Sequence, residues 1–389
     1  DLISSNLEKN LNFFDFESSD SNLDYYKIFQ AKKGDKILNI IGYISDFKNE
    51  PSNPMIDLKF ESSIANDIIL GPIIVKNHIN NDNEIIIQDS KNILYLINNR
   101  GQVEWTKKID GKIVEEINQI DSYKNGKLQY VFTTEKSLYL LDRKGRDVGK
   151  FPLKFKDKIT KPLSVFDYDN NKNYRLLITQ DNELFMFNSK GNRVRGFDYN
   201  KKNKIITKPK HFRISNKDII VFKTIDKLII LNRRGAVRIK TKKEHNYSSG
   251  DIFQYQNFLV TSTLKNEIVT IDMNGNTKLE QSTSLDSKIV CDKETIFTLQ
   301  KNILSNSKKN VEIPFGKYED FKIFSGNDKT YLNIFDSQNN KTYLFDNDLN
   351  LIKGFPISSI ENANFIIDNG VIEFSAKTES KKIKYQFVK

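Results

Sequence analysis

At 389 residues the chain is long enough for one large ring or two ordinary domains. Its mean hydropathy is negative, and apolar runs such as 68–75 are too short for a membrane-spanning helix. Cys291 is the lone cysteine, which excludes an internal disulfide and a thiolate metal cluster. The formal charge of +11 comes from 51 Lys and 10 Arg against 50 acidic residues. It has two readings: a codon-driven lysine excess, or attraction to an anionic partner.

Residues 1–50 hold nine acidic and six basic side chains, a net of −3, which leaves +14 for the remainder. Within them 25–30 and 37–44 read as β-strands around the polar link 31–36. We expect residues 1–53 to be the end of a preceding α+β or β domain plus a linker, because 46–54 places two prolines in a polar run. The chain opens at Asp1 without Met or a charged-then-apolar leader, as a processed protein or a fragment would.

From residue 54 onward one unit recurs. Residues 92–105, 137–153, 183–194, 227–237 and 267–277 each run as a short apolar strand, an Asp or Asn, two polar residues, a Gly and a return strand. This is a β-hairpin whose Gly supplies a positive φ. The turn glycines Gly101, Gly145, Gly191, Gly235 and Gly275 are 44, 46, 44 and 40 residues apart, the period of one four-stranded propeller blade. Fainter copies at 302–311 and 342–352 keep the hairpin without the Gly, and 382–388 has one strand and no return. An unpaired edge there would expose a ladder of backbone groups, so residues 55–62 are expected to supply the missing strand and close the ring. The fold class is therefore all-β: an eight-bladed β-propeller over 54–389, preceded by the β-rich tail of another domain. Seven blades is the other count if the copy near Asn302 belongs to its neighbour. Phe-Pro steps at 151–152 and 355–356 are read as the ends of outer strands, where a proline leaves no ladder bond unmade.

Residues 167–175 place Asp167, Asp169 and Asn171 at alternate positions of a tight loop and resemble the calcium loop of FG-GAP propeller repeats. Arg175 stands where that pattern has a later acidic ligand. The competing reading is a turn held by its own Asx hydrogen bonds. His78, His211 and His245 fall in different blades with no ligand or triad spacing, and no nucleotide, zinc or hydrolase motif is present. No cofactor is implied. Nine of the ten arginines lie between 143 and 238. Arg143, Lys144, Lys190, Arg233 and Arg234 sit at hairpin tips that must emerge on one face, forming a basic arc for a partner. Base-stacking aromatics are not interleaved with these cations, which disfavours nucleic acid.

Residues 94–105 resemble the repeat of quinoprotein-like propellers, although those rings dock each blade with a tryptophan and this chain has Trp105 alone. Residues 75–81, 131–134, 151–171 and 208–214 together look like an uncharacterised family of Bacteroidota envelope proteins, often mislabelled ribonuclease HII. The resemblance implies an N-terminal domain ahead of a propeller, and a periplasmic or outer-membrane-associated lipoprotein anchored through a segment before Asp1. It brings no catalytic residues. The expected function is a non-catalytic scaffold binding another envelope protein or an anionic surface. The alternative is a propeller hydrolase or lyase with a funnel site that motifs do not reveal.

Overall fold

A computed structural model describes residues 12–14, 26–33, 36–43, 55–201, 203–280, 287–326 and 329–388. The chain divides into two compact units, Asp1–Asn53 and Pro54–Lys389. In the first, Asn12–Phe14, Tyr26–Lys33 and Lys36–Tyr43 form a three-stranded antiparallel sheet. The linker expected over 46–54 lies outside the described residues.

The second unit contains eight four-stranded antiparallel sheets, the blades of a β-propeller. Blade 1 is Ile68–Lys76, Asn83–Asp89, Ile93–Ile97 and Val103–Lys108. Blade 2 runs from Ile113–Ile120 to Leu153–Lys154, and blade 3 from Ser164–Phe166 to Tyr199–Asn200. Blades 4 and 5 begin at Lys210–Ile214 and Phe253–Tyr255. The faint copies are blade 6, starting at Ser287–Cys291, and blade 7, starting at Tyr318–Gly326. Blade 8 joins Asn364–Asp368, Val371–Glu379 and Lys382–Val388 to Ile56–Ser63. That last pairing closes the ring one residue along from the stretch expected, in register from Lys382 opposite Ser63 to Val388 opposite Ile56.

Burial grades across each blade as the sequence requires. Second strands are covered by neighbouring blades on both faces, so Asn83–Asp89 and Gln129–Thr134 are buried throughout. Outer strands such as Val103–Lys108 alternate between exposed and half-buried. Apolar side chains fill the seams: Leu94, Leu96, Tyr130, Phe132 and Tyr139 between blades 1 and 2, and Phe60, Ile85, Ile87, Ile383 and Tyr385 between blades 8 and 1.

The turn glycines serve these seams as well as their turns. A Cβ on Gly101 would lie 2.9 Å from the Phe60 ring, and one on Gly145 2.9 Å from the Trp105 ring. At these two seams the outer strand of one blade thus lays an aromatic side chain on the hairpin tip of the next. Phe151 and Leu153 lie against Gly191 in the same way, whereas Gly235 and Gly275 are approached by the backbone carbonyls of Asp198 and Lys240. Tryptophan docking is replaced here by a mixture of Phe, Trp, Leu and bare backbone. Blade 7 inverts the arrangement. Leu349 takes the turn glycine's place with φ of 58° and is fully buried among Val290, Leu304 and Tyr343. The outer strand of blade 6 offers only Val311 at this seam.

The Phe-Pro steps precede the short outer strands Leu153–Lys154 and Ile357–Ser358 rather than ending them. Each hairpin first makes a single bridge, Leu141 with Asp147 or Phe345 with Leu351, and then turns before the strand resumes. The break buries Phe151 and Phe355 in the seams that follow.

Candidate functional site

Antiparallel order places every loop between strands one and two on the same face as every hairpin between strands three and four. Each of these hairpins is tied by one side chain. Asp142 Oδ1 accepts the N–H groups of Lys144 and Arg146, and Asn232 Oδ1 accepts those of Arg234 and Ala236. Asn188 does the same for Lys190 and Asn192.

This geometry splits the basic arc. Lys144, Lys190 and Arg234 are exposed. Arg143 and Arg233, one residue earlier in their turns, reach back across seams. Arg143 pairs with the buried carboxylate of Glu84, and its own carbonyl accepts the Trp105 indole N–H at 2.6 Å. Burial raises the Glu84 pKa, and the Arg143 guanidinium opposes that rise. Arg233 lies 2.7 Å from Asp169 and 2.6 Å from Asp218, over the Tyr168 ring at 4.6 Å. Arg213 joins the same two carboxylates at 3.2 and 2.9 Å, and His211 Nε2 meets Asp218 at 2.8 Å. These groups clasp blade 3 to blade 4.

The residues singled out for calcium are occupied within the protein. Asp167 accepts backbone N–H groups from Asn171 and Lys172, and the Asn171 side chain accepts that of Asn173. Asp169 is held by Arg233 and Arg213, which keep its carboxyl below the usual range. Lys172 reaches over to Asp121 at 2.6 Å. No group of three His, Cys, Asp or Glu able to hold a metal occurs among the described residues.

The loop face also carries an open groove of about 1080 Å³ between blades 1 and 2. His78 and Ile79 come from the first loop of blade 1, residues 123 and 125–129 from that of blade 2, and residues 142–144 and 146–149 from the blade 2 hairpin. Ile79 is 71% exposed and Tyr123 61% exposed. His78 Nδ1 accepts the Leu128 N–H at 3.2 Å. Burial, then the Arg143 and Lys127 charges, lower the His78 pKa, so the ring is neutral at pH 7 and carries its proton on Nε2. Sequence reasoning found Arg143 and Lys144 but missed Ile79 and Tyr123. The available signal was one large apolar residue stranded in each of two otherwise polar turns.

Other perturbed groups lie in seams. Lys223 is fully buried between blades 4 and 5, donates to Thr261 Oγ1 at 2.7 Å, and has its pKa pushed by burial to about 7. Burial pushes the Cys291 thiol up to about 12. His245 Nε2 meets Thr277 Oγ1 at 3.2 Å.

Neither a protein-family profile nor any curated protein matches the chain. Solved structures do. BamB from Moraxella catarrhalis superposes with a TM-score of 0.54 at 12% identity, over 85% of this chain and 97% of that one. BBS1N, in complex with ARL6DN, gives 0.53 at 10% identity over 86% and 97%. A streptogramin B lyase gives 0.50 at 12% identity over 87% and 100%. At these identities the likeness is one of fold. No helix of the described residues is long and apolar enough to cross a membrane.

Proposed function

We propose that this chain is a non-catalytic binding platform of the bacterial cell envelope, periplasmic or outer-membrane-associated, which presents its loop face to another protein. The groove between blades 1 and 2 carries the reading, because exposed Ile79 and Tyr123 beside uncommitted lysines are poor in water and good at an interface. The strongly perturbed ionisable groups support it by their placement. Lys223 and Cys291 are held in blade seams, where they serve the ring. Among the structural neighbours, BBS1N is a propeller seen with a protein partner, ARL6DN. The envelope assignment rests on the family resemblance of residues 75–81 and 151–171, with the BamB likeness in accord.

The test is a photo-crosslinking amino acid placed in cells at position 123 and, separately, at Ile225, which is 59% exposed on the opposite face. The proposal expects a discrete adduct with one envelope protein from position 123 and none from 225. Adducts from 225 alone, or substrate turnover abolished by mutating the groove, would overturn it.

A further inference from the structure

Resting on that platform reading, we propose that the groove between blades 1 and 2 receives a linear acidic peptide segment of its partner, anchored by one apolar side chain between Ile79 and Tyr123. Charge complementarity around an apolar centre selects this occupant. The groove contains two carboxylates, Asp142 and Asp147. Each is already matched: Asp142 holds Arg146 at 2.6 Å, and Asp147 holds Lys107 at 3.1 Å. Arg143 is committed to Glu84. Lys127 and Lys144 remain exposed with no ion pair among the described residues, and the Lys124 ammonium on the same loop bonds the neutral amide of Asn173 at 2.7 Å.

The groove therefore offers uncompensated positive charge at its rim and no free negative charge. A basic segment would meet those lysines unpaired, and a neutral one would leave them without a partner. An acidic segment gains at both ends of the recognition. Its carboxylates meet Lys127 and Lys144, and the neutral His78 supplies an Nε2–H donor. An apolar side chain of the segment then covers Ile79 and Tyr123, which are now largely in water. The concave form, built from three loop segments of two blades, suits an extended chain better than a flat lipid surface.

Random ten-residue peptides displayed on phage are selected against the purified full chain, and the enriched sequences are synthesised with a fluorescein label for anisotropy titration. The expected peptides carry two or more carboxylates flanking an apolar residue. Tyr123→Ser lowers their affinity roughly tenfold at every salt concentration, as loss of a buried anchor does. Lys127→Glu with Lys144→Glu lowers it by a similar factor at about 0.1 M salt and removes its salt dependence. Ile225→Ser leaves it unchanged, and unaltered melting temperatures show that the exposed substitutions preserve the fold. Failure to enrich any peptide, enrichment without carboxylates, or indifference to the lysine reversals overturns the proposal. Binding of phosphatidylglycerol vesicles lost in those variants, without peptide enrichment, assigns the groove to lipid and also overturns it. If adducts still form from position 123 while acidic peptides fail, the platform stands and the acidic segment falls.

Discussion

Gly145→Ala tests whether the blades are joined by an aromatic side chain lying on a hairpin tip. Two costs are separable at this position. The backbone holds φ at 76°, a left-handed conformation that costs an L-residue about 1–2 kcal/mol. The new Cβ also falls 2.9 Å from Trp105 Cδ2 and Cε3, well inside the ~3.5–4.0 Å optimum between carbons. The indole cannot swing aside freely, because its N–H is bonded to the Arg143 carbonyl and its ring packs beside Tyr130 at 6.3 Å. Overpacking of this kind adds about 1–3 kcal/mol, so the total loss should be about 2–5 kcal/mol in equilibrium urea unfolding. Gly191→Ala supplies the comparison. Its φ is 77°, but the nearest atom to its Cβ is a Leu153 methyl at 3.4 Å, so the backbone cost should stand almost alone. Trp105→Leu borrows that Leu arrangement for blade 1, and combined with Gly145→Ala it should recover about 1–3 kcal/mol of the loss as coupling. Equal losses at Gly145 and Gly191, or a cycle with no coupling, would refute docking as the reason for the glycine.

Leu349→Gly should destabilise the ring by about 1–3 kcal/mol despite relieving a positive φ, since a buried leucine contributes more than the left-handed backbone costs; its urea midpoint should fall. Arg233→Glu should lower the melting temperature, because it replaces the pairs with Asp169 and Asp218 by a carboxylate set beside them, whereas Arg234→Glu should leave it nearly unchanged. Lys223 binds its proton less tightly in the folded state, at a pKa of about 7, than unfolded at about 10.4. Between these values the unfolded chain holds more protons, so stability should rise with pH by up to about 1.4 kcal/mol per unit. Lys223→Met should abolish that rise and be the more stable protein at pH 7, measured as unfolding midpoints across pH 7 to 10.

The ring was legible in the sequence because its hairpins repeat a chemical sentence: apolar strand, Asx, two polar residues, glycine. Even the closure could be read, since Lys382–Val388 had no return strand and residues near Ile56 offered one. What the repeat could not convey was direction. Arg143 and Lys144 are neighbours in sequence with the same charge, yet the turn aims one at Glu84 and the other at solvent. Arg233 and Arg234 divide in the same way. Asp169 looked like a ligand because its true partners, Arg213 and Arg233, lie 44 and 64 residues away. The docking residues were hidden too. Phe60, Trp105 and Leu153 share a place in space but no side-chain type, and in blade 7 the knob belongs to the opposite partner.

Closure by Ile56–Ser63 also sets the order in which the chain can be completed during synthesis. Lys59 meets Glu373 across 314 positions, so at ~5–20 residues per second the propeller's first strand waits of order a minute or less for its partner. Meanwhile it is an unpaired edge, the kind of segment that recruits foreign strands. Its charges suit that interval: Asp57, Lys59 and Glu61 occupy alternate positions and load one face of the waiting strand with both signs. Lys59 then passes from guarding a solitary edge to pairing with a carboxylate of the last blade. A ring sealed by its earliest strand is thus proofread for length, because a chain that stops before residue 382 leaves that strand nothing to pair with.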